Sequence, residues 1–351
     1  MKLGIIGLEQ SGKTTVFNAL TGANKEVGTY GRSEEHIATI SVPDERVDWL
    51  GKLYGKEKIV HAHIEFVDIP GNINDASDPK IVAAARETDA LVYVARAFKN
   101  PNVPHPHETI NPTRDFGYIN LGLIMADMGL AAKRIEKIKA LFHKTGKRKE
   151  DEMELAVLEK IMTKLEMEEE AREAELDEQE EKLVRSFQFL TLKPYLTVLN
   201  VSDEDLRSGE TSSILSQLPY CIAIPANFEM EVQRLKESER ATFLEDVGEK
   251  ELSINDFIRK AYETLGLISF FTIGKEEVRA WTIPKGTTAH AAAGKIHTDM
   301  ERGFIRAEVF AYNELKTLGS EQEVRHAGKC RLEGKEYIVQ DGDILFIKFN
   351  V

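Results

Sequence analysis

The chain has 351 residues, of which 42% are hydrophobic and 30% charged, and carries a formal net charge of -13. A soluble globular protein of two or three domains is expected, with no apolar run near the ~20 residues needed to span a bilayer. The acidic balance argues against a general nucleic-acid binder, DNA included, while leaving room for a local basic face. The two cysteines, Cys221 and Cys330, form neither a metal-ligand spacing nor a disulfide framework, which suits a reducing cytoplasm. The N-terminus runs straight into a strand, so no signal peptide is expected.

Residues 2–6 are a short apolar run, read as the first strand. Gly7-Leu8-Glu9-Gln10-Ser11-Gly12-Lys13-Thr14-Thr15 follows, a G-x-x-x-x-G-K-T pattern, and then an amphipathic helical start at Val16. Strand, loop and helix in that order are the context of a phosphate-binding loop. Gly7 and Gly12 let the backbone curl so that successive N–H groups face an anion, and the helix N-terminus adds its positive end. Lys13 is expected to reach the β- and γ-phosphates of a nucleotide, and the Thr14 hydroxyl to ligate Mg²⁺. The main chain of Glu9, Gln10, Ser11 and Thr15 completes the expected phosphate cradle.

The first helix is expected to end near Gly22. Residues 23–37 are polar, without clear period, and read as a flexible loop at the position of a first nucleotide switch. Thr29, Ser33 and Thr39 are its available hydroxyls, none distinguished by spacing. Pro43 and Asp44 start a short helix through Leu50. Residues 63–67 read as a strand ending in Asp68-Ile69-Pro70-Gly71, a D-x-x-G at about 55 residues after the loop. There Asp68 holds Mg²⁺ through water, and the Gly71 N–H meets the γ-phosphate. Asn72 stands where Ras-like enzymes carry a Gln that orients the attacking water, and is shorter. A helix over 79–88, a buried strand over 90–94 and a proline-rich loop over 98–107 come next. Within that loop His105 is open to two readings, a surface histidine or a group that positions water.

A helix is expected over about 115–142, a turn at 143–147, and a second long helix over 150–186 with near-heptad apolar spacing that fades into an acidic run. The two read as a projecting hairpin. Residues 195–199 and 220–225 are strands. They end in Asn200-Val201-Ser202-Asp203 and in Ala226-Asn227-Phe228, the positions where nucleotide bases are read. Val201 replaces the Lys of N-K-x-D, and the retained Asp203 keeps guanine chemically open. A helix over 254–265 leads to short strands at 269–273, 278–282, 308–312, 337–339 and 344–349, with one helix over 289–300. This is a β-rich C-terminal domain. Arg279, Lys285, Lys295, Arg302 and Arg306 are candidates for its basic face.

These residues resemble a known family. Residues 277–284, 293–299 and 303–307, with Glu333-Gly334-Lys335, Tyr337-Ile338-Val339 and Asp341-Gly342-Asp343, are similar to the TGS domain of the Obg-like ATPases, the YchF subfamily of P-loop GTPases. Asn111-Pro112, Asp115, Ile119 and Ala126-Asp127 resemble that family's entry into a helical hairpin, and Phe66 to Gly71 its second switch. The resemblance covers essentially the whole chain. It implies an α/β fold: a nucleotide-binding domain over 1–120 and 188–265, a helical hairpin inserted at 121–187, and a TGS domain over 266–351. It also implies ATP hydrolysis in preference to GTP, Mg²⁺ dependence, and a cytoplasmic monomer associated with the large ribosomal subunit and its RNA. A histidine in the mobile loop is assigned to hydrolysis in this family, and His105 falls on that position beside Lys13 and Gly71. There are departures: Glu9, Gln10 and Ser11 replace the usual middle of the phosphate loop. The first-switch segment is shorter, with only Tyr30 as a remnant, and Asp203 stands where Glu is common. The chain reads as a divergent member.

Overall fold

In the computed structural model, residues 1–23, 36–71, 78–145, 148–208, 211–246 and 251–350 are described. Among them the strands are, in chain order, β1 Lys2–Gly7, β2 His36–Ser41, β3 Lys58–Val60, β4 His63–Asp68, β5 Ala90–Arg96, β6 Tyr195–Asn200, β7 Cys221–Ile224, β8 Leu267–Ile273, β9 Glu277–Pro284, β10 Phe304–Ala311, β11 Arg331–Glu333 and β12 Asp343–Phe349. The helices that matter most below are α1 Lys13–Thr21, α2 Glu45–Leu53, α3 Pro79–Arg86, α4 Pro112–Thr145, α5 Lys149–Glu166 and α6 Glu178–Val184. The chain divides into two compact units, Met1–Thr39 with Glu65–Ile254, and Ile40–Ile64 with Asn255–Val351.

In the first unit the sheet order is β2-β4-β1-β5-β6-β7. β1 pairs in parallel with β4 and β5, β5 with β6, and β6 with β7. Every residue of β5 and β6 is buried, as expected of parallel strands covered on both faces. Parallel order has a consequence for position. β1 ends at Gly7, β4 at Asp68, β5 at Arg96 and β6 at Asn200, so their carboxyl ends lie along one edge of the sheet, where open α/β sheets bind ligands.

α4 and α5 share an apolar row of Ile124, Ala131, Ile135, Ile138, Val157, Leu158, Ile161 and Leu165. Arg134 is paired with Glu154, and Lys139 with Glu159. The expected domain boundary at 120/121 falls inside α4. The expected single helix over 150–186 is broken: α5 stops at Glu166, a short 3₁₀ turn spans Ala171–Ala174, and α6 follows. The reason is packing. Ala171 and Ala174 are buried in the helical core, and the turn that places them needs left-handed backbone at Glu168 (φ 61°) and Glu175 (φ 48°). Part of the acidic run is also engaged, with Glu169 on Lys164 and Glu180 on Lys160.

In the second unit the sheet order is β11-β10-β12-β8-β9-β3. β8–β9, β10–β12 and β10–β11 are antiparallel, whereas β12–β8 and β3–β9 are parallel. The core holds Phe270, Ile283, Ala289, Ala293, Val309 and Leu345. The segment 40–64, expected to belong wholly with the nucleotide-binding part, lies in this unit. β3 pairs Lys58 with Glu277 and Val60 with Arg279. Arg46 pairs with Asp44 and with Asp341, and Trp49 meets Tyr312 edge to face at 5.4 Å. The strand expected at 337–339 is a lone bridge between Ile338 and Thr288. The helix expected over 289–300 breaks at His297, whose extended backbone and Nδ1 cap a second helix, Thr298–Arg302.

Candidate functional site

The phosphate loop forms as the glycine spacing demands. Gly12 lies at φ 89°, in the left-handed region, immediately before α1. A Cβ on Gly12 would run into the Asn200 amide, and one on Gly7 would come within 2.7 Å of the Val94 carbonyl and 2.8 Å of Ser11 Oγ. The loop is therefore a cradle that side chains would fill. Ser11 is 3% exposed, and its Oγ has no hydrogen-bond partner among the described residues. A buried orphan hydroxyl costs free energy unless a ligand meets it.

Lys13 Nζ donates to the Gly7 and Leu8 carbonyls, both at 3.0 Å. Burial pushes its ammonium down to about 8, against the opposing pull of Asp68 and Glu9. Thr14 Oγ1 donates to Asp68 Oδ2 at 2.8 Å, so the hydroxyl of the loop and the carboxylate at the end of β4 meet as sequence spacing suggested. Gly71 is the last described residue of that segment, and Asn72 lies outside the described residues, as do Thr29, Tyr30 and Ser33. Among the described residues no group of three or more His, Cys, Asp or Glu is built to hold a metal ion by itself. The donor set of Thr14 and Asp68, beside a cradle for phosphate oxygens, fits Mg²⁺, which keeps waters and shares its shell with phosphates.

On the base side, Asn200 is 3% exposed and its Nδ2 donates to the Ser11 carbonyl at 3.0 Å. Its side chain thus braces the loop. Asp203 opens the short helix Asp203–Ser208, and Ala226 is the first residue of the helix Ala226–Gln233. Asn227 is exposed and Phe228 half-buried, its ring centroid 5.9 Å from that of Phe243. Val201, which replaces the Lys of N-K-x-D, is 2% exposed and packs with Ala95, Leu199, Leu218 and Ala223. A β-branched side chain just after a buried strand goes into the core, leaving open the place of that Lys over a base.

His105 is tied at both ring nitrogens. Nδ1 accepts the His107 main-chain N–H at 3.1 Å, which leaves the proton on Nε2, and Nε2 donates to Asp115 Oδ2 at 2.9 Å. The His105 side chain is 4% exposed and that of Asp115 2%. Arg114 holds the other Asp115 oxygen at 2.8 Å. In this arrangement the imidazole has no ring nitrogen left for a water.

Sequence reasoning missed Arg96. It closes β5, is 2% exposed, and spends its guanidinium on main-chain carbonyls of the phosphate loop and of the His105 loop. A lone arginine after the apolar run 90–95 belongs to no motif, and its partners are set only by the parallel sheet.

Comparison with known proteins agrees with this architecture. A family model described as a 50S ribosome-binding GTPase matches residues 2–121. A second, named YchF-GTPase_C and described as a protein of unknown function, matches residues 267–350. The chain is 38% identical to the ribosome-binding ATPase YchF of Bacillus subtilis over 99% of either chain. It is 39% identical to the protein of the same name from Haemophilus influenzae, over 100% of this chain and 99% of that one. Among solved structures, the YchF GTPase of Schizosaccharomyces pombe matches with a TM-score of 0.86 at 30% identity, covering 99% of this chain and 97% of that one. The α/β fold is that of the P-loop GTPases, and the chain belongs to the YchF family of P-loop nucleotide hydrolases.

Proposed function

We propose that the protein hydrolyses ATP in preference to GTP, with Mg²⁺, and acts as a nucleotide-dependent switch on the large ribosomal subunit and its RNA, as a cytoplasmic monomer. The observation that carries this reading is the glycine cradle with a buried unsatisfied Ser11 hydroxyl, beside an ammonium parked on two loop carbonyls. Main-chain N–H groups of residues 7–15 and the start of α1 receive the phosphates. Lys13 exchanges its two carbonyls for phosphate oxygens. Bound Mg²⁺ supplies charge neutralisation at the β- and γ-oxygens, and Thr14 with Asp68 holds it. Gly71 presents its N–H to the terminal phosphate. Asp203, Ala226, Asn227 and Phe228 frame the base, with Asn200 bracing the loop from behind.

His105 orients the attacking water once its loop has released it from Asp115 and His107. Its engaged ring nitrogens favour a low basal turnover, which also supports a second reading: a ribosome-binding module for which nucleotide is mainly a conformational ligand. The paired helices α4 and α5 would serve as the inserted hairpin, and the C-terminal unit as a TGS domain. Lys285, Lys295, Arg302 and Arg306 are exposed there and offer a basic surface to RNA. The ribosomal partner is proposed by analogy with the ribosome-binding relatives.

Calorimetry at pH 8, in two buffers of different ionisation enthalpy, tests the site directly. With Lys13 at about 8 in the free protein, phosphate contact restores its charge, so binding takes up about half a proton at pH 8 and none near pH 6.5. ATP with Mg²⁺ is expected to bind at least about tenfold more tightly than GTP, a difference of about 1.4 kcal/mol. Equal affinities would remove the base preference. Absence of binding by either nucleotide would remove the function. Salt-sensitive cosedimentation with ribosomes, stronger with ATP than without, separates the switch from a nucleotide-indifferent binder.

A further inference from the structure

Arg96 joins two loops that the sequence keeps far apart. Its Nε donates to the Phe98 carbonyl at 3.2 Å and its Nη2 to the Val103 carbonyl at 2.8 Å. Its Nη1 is shared between the Pro104 carbonyl at 3.3 Å and the Gln10 carbonyl at 3.5 Å. The guanidinium carbon lies 4.4 Å from the centroid of the Phe98 ring. A buried guanidinium is usually matched to a carboxylate; the four acceptors that this one reaches are main-chain carbonyls, three on the 98–104 segment and one inside the phosphate loop. Gln10, which supplies that last carbonyl, sits at φ 59°, a backbone state that an L residue adopts only where its surroundings hold it.

A planar fork with fixed donor directions cannot follow one loop without dragging the other. The stem of the second loop is fixed separately: the Ala97 and Phe98 N–H groups donate to the Asn200 carbonyl at 2.8 and 3.2 Å. Arg96 reaches beyond that stem to Val103 and Pro104, the two residues before His105. We infer that Arg96 is a positioning residue that couples the phosphate loop to the His105 loop, so that a triphosphate seated on residues 7–15 changes the conformation of residues 98–107. The inference rests on the reading of residues 7–15 as the phosphate site, and it adds the part that carries occupancy to the loop that holds the hydrolytic histidine.

Lys99 is exposed on the coupled loop, so tryptic cleavage between Lys99 and Asn100, followed by mass spectrometry, reports its conformation. In the wild-type protein, saturating ATPγS with Mg²⁺ is expected to change that cleavage rate at least about fivefold. In R96K the charge remains, but one ammonium replaces the planar fork of three nitrogens that holds the Phe98, Val103, Pro104 and Gln10 carbonyls together. The ratio should fall below about twofold while ATPγS affinity, by calorimetry, stays within about threefold. At saturating ATP, R96K should lose about tenfold in kcat with KM within about threefold, a split that simple destabilisation does not produce. R96K with the wild-type cleavage ratio overturns the inference. So does a wild-type protein that binds ATPγS with no change at Lys99, an arm that does not depend on the variant folding. A wild-type protein that fails to bind ATPγS removes the phosphate-site reading itself and this inference with it.

Discussion

Replacing Lys13 with alanine is expected to lower ATP turnover by about 10³-fold and to leave the fold in place. The transferred phosphoryl group needs little covalent help, and catalysis of this kind rests on positioning and on opposing its charge. Lys13 is the cation within the phosphate cradle, held by the Gly7 and Leu8 carbonyls at 3.0 Å. Loss of 10³ in rate corresponds to about 4 kcal/mol of transition-state stabilisation, in the range found when a main charge-stabilising group is removed from such sites. The bonds lost from the resting protein are those two, on a loop that α1 and Asn200 brace independently. Melting temperature should therefore move by no more than about 2 °C. Phosphate release at saturating Mg²⁺·ATP, with a melting curve of the same sample, decides it. Turnover within threefold of wild type would end the assignment.

The largest stability effect is expected at Asp127, far from the phosphate loop in sequence. Its carboxylate is fully buried and accepts the Leu190 N–H at 2.9 Å, the Thr191 N–H at 2.8 Å and the Thr191 hydroxyl at 2.9 Å. Thr191 Oγ1 in turn accepts the Ala171 N–H at 3.0 Å. One carboxylate thus fastens α4, the turn Leu190–Leu192 and the turn Ala171–Ala174. Burial pushes its carboxyl up from the ordinary value, while the three donors and Arg86 pull the other way. Asp127→Ala takes the acceptor from the Leu190 and Thr191 donors, at about 1–3 kcal/mol each, offset in part by removal of the buried charge. A net loss of about 3–5 kcal/mol is expected, or about 10 °C in the melting of the first unit by calorimetry. Asp127→Asn keeps one acceptor oxygen and should recover only part. A change below about 1 kcal/mol in the alanine variant would show that the carboxylate is not the fastener.

The phosphate loop was legible because its geometry forces its composition. A left-handed residue before α1 and a close approach at Gly7 leave glycine as the fitting choice, and Lys13 and Thr14 follow at fixed spacing. Asp68 was legible because a parallel strand adjacent to β1 must end near the loop. Asn200 was found as a residue but not in its bracing role, since which way an amide points depends on what packs beneath it. Arg96 left no trace, because its partners are carbonyls and carbonyls have no sequence. The acidic stretch after Glu166 looked helical because Glu has good helix propensity. Burial of Ala171 and Ala174 then overrode local preference. β3 was invisible for a different reason: three residues carry no period, and its partner strand is distant in sequence.

That placement of β3 has a consequence for how the chain reaches its native state. Lys58 finds Glu277, and Arg46 finds Asp341, only after most of the polypeptide has left the ribosomal exit tunnel. Until then α2 has Val47, Leu50 and Trp49 without their native cover, and such long-range closure is slow. A fragment cut at residue 266, where the sequence places a boundary, would lack the sheet's last strand and the Arg46 clamp, so autonomous folding of the carboxyl-terminal part requires that residues 40–64 be supplied with it.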